Sequence, residues 1–333
     1  MRFKQLPLML SALVSVLLLT ACNAPSAAPG DPGTPAPSGW SYTDDAGNTI
    51  NLADTPQRVA GYADQMLALM SYGVKPVAIF SRVDVKTDPR FAGIDLTGVR
   101  IVGNAYGEID LEGLAEAEPD IIVTAVYPTD RNGTLDPKAP FYGLKDLEQQ
   151  QKVQELAPVA VIKVGGEGLS VIESNAKIAV ALGADPARVE SAKATFDTAA
   201  AKLSTVAKAS SLEITQMCAD ADGIYLVKPK DEPQTQLYQT LGVTLTELNP
   251  DGPFYWDIYS WENAGKAMTG DINMLSAEGY QVDDLKRQAT FAKHPALVAG
   301  QIYGNPYSVM AYEPQAKSMD QISQYLSSGK KVA

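Results

Sequence analysis

Short apolar runs separated by stretches of helical periodicity constrain this chain more than any other feature. Val59 to Tyr62, Pro76 to Phe80, Arg100 to Val102, Ile121 to Ala125 and Val159 to Lys163 each have the length of a strand, and Met66, Leu67, Leu69 and Met70 fall at helical spacing between the first two. A strand that is followed by a helix and then by another strand returns to the same edge, so the strands run parallel and need cover on both faces. The alternation resumes with Glu213 to Cys218, Gly223 to Val227, Val243 to Leu248, Asp271 to Leu275 and Leu297 to Tyr303 as predicted strands. Two helical stretches lie between the sets. Leu169 to Leu182 is stopped by Gly183, and Asp185-Pro186 then supplies an N-cap with proline at the first helical position. Val189, Ala192, Phe196, Ala199, Leu203 and Val206 follow at steps of three and four. A helix from Pro186 to about Ala209 would be roughly 35 Å long. The expected fold is α/β, with two lobes of mostly parallel sheet joined by one long interlobe helix.

The N-terminal end reads as a targeting segment. Arg2 and Lys4 precede an apolar stretch from Leu6 to Thr20, shorter than the roughly 18–20 residues of a membrane-spanning helix. It closes on Leu19-Thr20-Ala21-Cys22, which resembles the lipobox of bacterial lipoproteins, so cleavage before Cys22 and lipidation of its thiol are expected. A multi-chain lipid holds firmly where a single acyl chain anchors only marginally. Ala24 to Gly39 is, apart from Asp31, a run of Pro, Gly, Ala, Ser and Thr that cannot bury a core and reaches at most about 50 Å. The expected organisation is signal peptide 1–21, lipidated tether 22–39, N-terminal lobe 40–184, interlobe helix 185–209 and C-terminal lobe 210–333. Tyr42 to Ile50 opens the first lobe as a hairpin around a Gly47-Asn48 turn.

Removing the first 21 of 333 residues leaves 312, more than one compact core usually holds. Without Arg2 and Lys4, 25 basic residues face 39 acidic ones, a formal charge of −14. That balance disfavours nucleic acid and anionic lipid surfaces as partners. Once Cys22 is lipidated, Cys218 has no cysteine partner, and it reads as a buried core thiol. No G-x-S-x-G elbow, P-loop or H-E-x-x-H motif occurs, so nothing positive supports an enzyme. The single histidine, His294, precedes a proline and reads as a structural turn residue. Capture of free zinc or manganese generally takes several histidines with carboxylates.

The chain also echoes itself. Asp110-Leu111-Glu112-Gly113-Leu114-Ala115 precedes Pro119-Asp120-Ile121-Ile122-Val123, and Ser260-Trp261-Glu262-Asn263-Ala264-Gly265 precedes Gly270-Asp271-Ile272-Asn273-Met274. Each is a capping residue, a helix start with Glu in its first turn, and a strand. Taken singly, such a glutamate complements the helix dipole, worth about 0.3–1 kcal/mol.

The first of these stretches, Asp110 to Val123, with Thr43-Asp44-Asp45-Ala46-Gly47, Thr55-Pro56-Gln57-Arg58-Val59, Leu67 to Val77 and Leu156-Ala157-Pro158-Val159, resembles the substrate-binding proteins of ABC importers for iron siderophores, haem and vitamin B12. The resemblance runs from about Trp40 to the end and weakens after Ser211. It implies a rigid, single-helix connection between lobes with a ligand cleft between them. It also implies an extracytoplasmic, membrane-anchored monomer that delivers its ligand to a permease dimer with its ATPase. In similar proteins one glutamate on each lobe pairs with permease arginines, which assigns docking to Glu112 and Glu262. No resident cofactor is implied. The ligand is expected to be a ferric siderophore, with haem or cobalamin as alternatives, and a surface lipoprotein enzyme, adhesin or sensor on the same fold stays open because fold does not determine function.

Ligands of open α/β sheets bind beyond the carboxyl ends of the strands. In the first lobe the loops there offer Tyr62, Arg82, Tyr106 and Tyr127, and in the second Lys228, Tyr255, Trp256, Tyr303 and Tyr307. Aromatic walls with a few cations suit a bulky, anionic, partly aromatic ligand.

Overall fold

The computed structural model of the protein describes residues 39–305 and 309–333. The expected leader, Cys22, all of the tether but its last residue, and Tyr307 lie outside the described residues.

The chain opens with the hairpin β1 (Trp40–Thr43) and β2 (Thr49–Leu52). Asp44 in its turn accepts from the Ala46 and Asn48 amides, and its second oxygen accepts from Val161 N at 3.1 Å, which ties the hairpin to the first sheet. That sheet comprises β3 (Val59–Tyr62), β4 (Pro76–Phe80), β5 (Arg100–Gly103), β6 (Ile121–Val126) and β7 (Val159–Lys163). All its pairings are parallel, in the order β5-β4-β3-β6-β7. Helices α1 (Ala63–Ser71), α2 (Leu111–Glu116) and α3 (Leu147–Leu156) lie within its connections.

The second sheet is mixed. It contains β8 (Glu213–Ala219), β9 (Gly223–Val227), β10 (Thr244–Leu245), β11 (Trp256–Ser260), β12 (Ile272–Ser276) and β13 (Ile302–Asn305). Its order is β11-β9-β8-β12-β13, with β10 beside the start of β8. β8, β10, β12 and β13 are parallel, as expected, whereas β9 and β11 run antiparallel to their neighbours. The reason is length: only Asp220-Ala221-Asp222 separates β8 from β9, enough for a hairpin and far too short for a crossover. Three sequence expectations change here. The strand from Val243 shrinks to two residues, Trp256–Ser260 forms a strand that was not foreseen, and Leu297 lies in a short helix. His294 starts that helix by accepting from Ala296 N at 3.0 Å, so the strand begins only at Ile302.

Helices α4 (Gly168–Ala181) and α5 (Pro186–Ala209) follow the first sheet; α6 (Pro233–Thr240), α7 (Val282–Arg287), α8 (Pro295–Val298) and α9 (Tyr312–Ser328) complete the chain. Asp185 caps α5 by accepting from Ala187 N at 2.9 Å. Its Val189, Phe196, Ala199, Leu203 and Ala207 are buried at helical spacing. The interlobe rod is double, because α9 packs along α5, with Phe196 and Tyr312 ring centroids 5.4 Å apart and Lys202 paired with Asp320 at 2.6 Å. One core runs from Leu69, Ile79 and Ile121 of the first sheet, through Leu203 of α5 and Ile322 of α9, to Ile214, Ile272 and Met274 of the second. Smaller cores cover the remaining faces around Phe80 and Leu114, and around Leu226 and Phe291. Among the described residues no helix is long and apolar enough to cross a membrane.

Asp271 secures the end of the chain to the second sheet. Its fully buried carboxylate accepts from the amides of Glu213, Val332 and Ala333 and pairs with Lys331 at 2.9 Å. Burial alone would raise its pKa, but the amide donors and Lys331 outweigh it and hold the carboxyl down at about 2. A carboxylate with a pKa lower folded than unfolded stabilises above the unfolded value and loses that contribution as pH falls toward the folded one. We therefore expect Asp271→Asn to cost roughly 2 kcal/mol at neutral pH. The difference from wild type should shrink between about pH 4 and pH 2, as read by chemical denaturation across that range.

Candidate functional site

Because the first sheet is wholly parallel, every strand delivers its carboxyl end to one edge. β3 ends in Tyr62, β4 leads through Ser81 to Arg82, β5 to Tyr106, and β6 to Tyr127. Four of the residues predicted for this lobe therefore meet on one edge. A fourth aromatic, Tyr142, gathers the tyrosines together. It comes from the long segment between β6 and α3, where its amide donates to Ala125 O at 2.8 Å. Its ring lies 5.1 Å from that of Tyr62, 5.3 Å from Tyr106 and 4.7 Å from Tyr127.

In the second sheet β8 alternates. Met217 and Ala219 go into the core, leaving Gln216, Cys218 and Asp220 on the other face. That face, with Val227, Trp256 and Asn305, opposes Arg82 and Tyr142 across a cavity of about 330 Å³ bounded by both sheets. The Gln216 Oε1 and Asn305 Oδ1 oxygens are buried and have no hydrogen-bond partner among the described residues. Carbonyls kept dry in this way are poised to accept from a bound molecule. Burial, followed by the nearby Asp220 and Glu278 carboxylates, pushes the Cys218 thiol up to about 11.

Arg82 stands at the mouth of this cavity, 15% exposed. It pairs with Glu278 of the opposite lobe at 2.6 Å and with Asp64 at 3.4 Å, and donates to Tyr62 Oη at 3.2 Å. Burial works against its charge, yet Asp64 and Glu278 outweigh burial and raise its pKa. Asp64 in turn pairs with Arg90, which is also held by Asp88 at 2.6 Å. A second ion pair crosses the cleft, where Arg131 grips Asp231 through two bonds of 2.8 Å and donates to Gly252 O at 3.1 Å. Asp231 also accepts from Tyr255 N, holding Tyr255 at a φ of 74° immediately before Trp256.

Not every predicted site residue reaches this space. Tyr62 is buried and contributes only its hydroxyl to Arg82, while Tyr106 stands 48% exposed at the rim. Tyr127 and Tyr255 meet from opposite lobes around a smaller, narrow space of about 30 Å³. Lys228 is turned away: 2% exposed, it pairs with Asp257 at 3.2 Å and donates to Asn249 O, because a lone buried ammonium must find carboxylate and carbonyl partners. It braces the loop that carries Trp256. Tyr303 stacks on Tyr325 of α9, 4.0 Å between centroids, and packs against the main core. Cys218 is half-buried on the cavity wall, where the sequence suggested a core thiol. Tyr142, Gln216, Asn305 and Glu278 were missed. Only the long stretch without apolar periodicity between β6 and α3 hinted at the first of these.

Glu112 and Glu262 are both exposed. Asp110 caps α2 through Gly113 N at 2.9 Å and donates its own amide to Val102 O near the end of β5, which places Glu112 beside that strand end. Glu262 lies in a 3-10 turn, Trp261–Ala267, rather than an α-helix. The Trp261 indole donates to Asp220 O just past the end of β8. The Glu262 carboxyl is held below its usual value by its own amide and the Ser260 hydroxyl. Each glutamate precedes the strand next to the central one, β6 beside β3 and β12 beside β8. Among the described residues no group of three or more His, Cys, Asp or Glu side chains is arranged to hold a metal ion.

Two sheets facing across a ligand-sized cavity at their strand ends, braced by a long helix, define a bilobal binding protein. The fold and sequence of a ferric-siderophore receptor protein, DesE of Streptomyces coelicolor, are similar: 28% identity over 88% of this chain and 100% of that one, with a TM-score of 0.77. The siderophore periplasmic binding protein from the fuscachelin gene cluster of Thermobifida fusca shares the fold at 20% identity, covering 82% of this chain and 96% of that one, TM-score 0.61. So does the petrobactin-binding protein YclQ of Bacillus subtilis, at 14% identity over 86% and 97% of the two chains, TM-score 0.62. No protein-family model matches the sequence, and no curated protein matches it. The chain thus shares the fold of solved substrate-binding proteins of iron-uptake ABC importers, and with the ferric-siderophore receptor also 28% of its sequence, which supports a binding role.

Replacing Arg131 by Met leaves the buried Asp231 carboxylate without its cross-lobe partner. We expect faster amide hydrogen exchange through Gly252–Tyr255 than in wild type. Arg100→Met, which breaks only the exposed pair with Glu116, should leave that exchange unchanged.

Proposed function

We propose that this protein is an extracytoplasmic lipoprotein, anchored through Cys22, that captures a ferric siderophore and hands it to an ABC permease. One observation carries the ligand reading: the cavity at the strand ends is walled by both lobes, with Arg82 and Tyr142 on one side and Trp256 and two unsatisfied carbonyls on the other. Aromatic rings supply apolar area with polar tips, and a guanidinium offers forked donors to chelating oxygens. A ferric complex presents both kinds of surface. The 28%-identical receptor supports the same ligand class.

Topology supports the docking reading. Glu112 and Glu262 lie beside the ends of β5 and β8, and each precedes the equivalent strand of its sheet. Two exposed carboxylates, one per lobe at the cleft edge, can meet a pair of cationic permease subunits without touching the ligand. Such complementarity sets orientation and on-rate. The protein acts as a monomer in this reading, and its tether of 16 residues from Ala24 to Gly39 leaves the lobes free to reach the permease.

Titration with ferric trihydroxamate and catecholate complexes, haem and cobalamin should quench tryptophan fluorescence for a ferric siderophore. Trp256→Phe should lose that response while the emission of Trp40 and Trp261, which do not line the cavity, persists. Arg82→Ala should weaken binding by about tenfold or more. A tight complex with free Zn²⁺ or Mn²⁺ and none with ferric chelates would overturn the ligand class. For docking, the double variant Glu112→Lys/Glu262→Lys should abolish cellular uptake with ligand affinity intact; continued uptake would refute the assignment.

A further inference from the structure

We propose that Glu278 makes this site select ferric complexes whose periphery is uncharged or positive over anionic ones, an inference that rests on the siderophore reading above. The sequence suggested cations awaiting an anionic ligand. In the structure those cations are already matched. Arg82 is held between Glu278 and Asp64, Arg90 between Asp64 and Asp88, and Lys228 is paired with Asp257.

Glu278 occupies its position by construction. It sits in the turn after β12, where its amide donates to Ser276 Oγ and the Gln281 side chain donates to the carbonyls of Ser276, Ala277 and Gly279. Gly279 has a φ of 83°, and a Cβ there would stand 2.3 Å from Ala219 O, so the turn is pressed onto the end of β8. From this mount the carboxylate reaches Arg82 across the cleft. The cavity of about 330 Å³ and a neighbouring one of about 430 Å³ share Ser276, Glu278 and Gly279 in their walls. Glu278 therefore borders both of these chambers, and Arg82 meets it from the wall of the first.

The charges around both chambers do not balance. Three carboxylates, Asp88, Asp220 and Glu278, line them against two guanidiniums, Arg82 and Arg90, and Asp64, which lines neither chamber but pairs with both guanidiniums, brings the excess to two negative charges. The buried carbonyl oxygens of Gln216 and Asn305 add acceptors without donors. Cys218 reports the same field, because after burial the carboxylates of Asp220 and Glu278 are what raise its thiol pKa. An anion entering here meets like charge in a partly desolvated space, whereas an ammonium or amide N–H meets acceptors.

Two measurements test this. Cys218 allows a reading that needs no siderophore: modification by a cationic and an anionic methanethiosulfonate reagent, quantified on the Cys218 peptide and normalised to a free thiol. The cationic reagent should react faster by about tenfold, and Glu278→Gln should reduce that ratio. The second uses one linear ferric trihydroxamate with a terminal ammonium, its N-acetyl form and its N-succinyl form, which differ only in terminal charge. Wild type should bind the ammonium and acetyl forms about tenfold more tightly than the succinyl form, and Glu278→Gln should narrow the gap. Equal or faster reaction of the anionic reagent, or preference for the succinyl form, overturns the proposal. These wild-type comparisons decide its sign even if the variant misfolds. Should the cationic reagent be favoured while none of the three complexes binds, the siderophore reading fails and the negative field of the cavity stands.

Discussion

The rest of the structure depends on one packed core that both sheets share. Helices α5 and α9 carry it from Leu69 and Ile79 beneath the first sheet to Ile214 and Met274 beneath the second. A core of close-packed side chains resists relative displacement, because sliding its parts opens voids whose cost grows with their volume. The two sheets are thus held at a set separation on the helical side. On the opposite side, where strand ends converge, that same separation leaves a cleft. The binding cavity is what remains when two layered units are joined along one flank only.

Within the cleft, ion pairs do more than hydrophobic contact to span the gap. Arg131 reaches a fully buried Asp231, and Arg82 reaches a half-exposed Glu278. The two differ in kind. A buried carboxylate with a bidentate partner is costly to expose, so the Arg131 contact acts as a fixed brace. A half-exposed carboxylate is screened and its contact with Arg82 exchanges readily with solvent or ligand. The braced side also carries Tyr255 and Trp256, which places the aromatic wall on the stiffer part of the cleft.

Much of this was legible beforehand. Val59–Tyr62, Pro76–Phe80, Val159–Lys163 and Pro186–Ala209 appear with the boundaries their sequence patterns suggest, because apolar runs and an Asp-Pro cap act over a few residues. Elements were misread where distant partners decide. Leu297 joined a helix because His294 caps it, and β9 ran antiparallel because three residues cannot cross a sheet. Tyr142 was invisible, since its place as the hub of three tyrosines is set by loop closure over the sheet edge.

The sequence by itself determined the strand–helix alternation, the long capped helix and the edge to which Tyr62, Arg82, Tyr106 and Tyr127 are delivered. These are local facts, written in periodicity and in the rule that parallel strands end together. Only the tertiary structure decided which charges face one another. Lys228 and Arg82 look alike as cations in a loop, yet one turns inward to Asp257 and the other spans the cleft to Glu278, 196 positions away. Electrostatic character depends on distances through space, and those exist only once the two sheets have been set opposite each other.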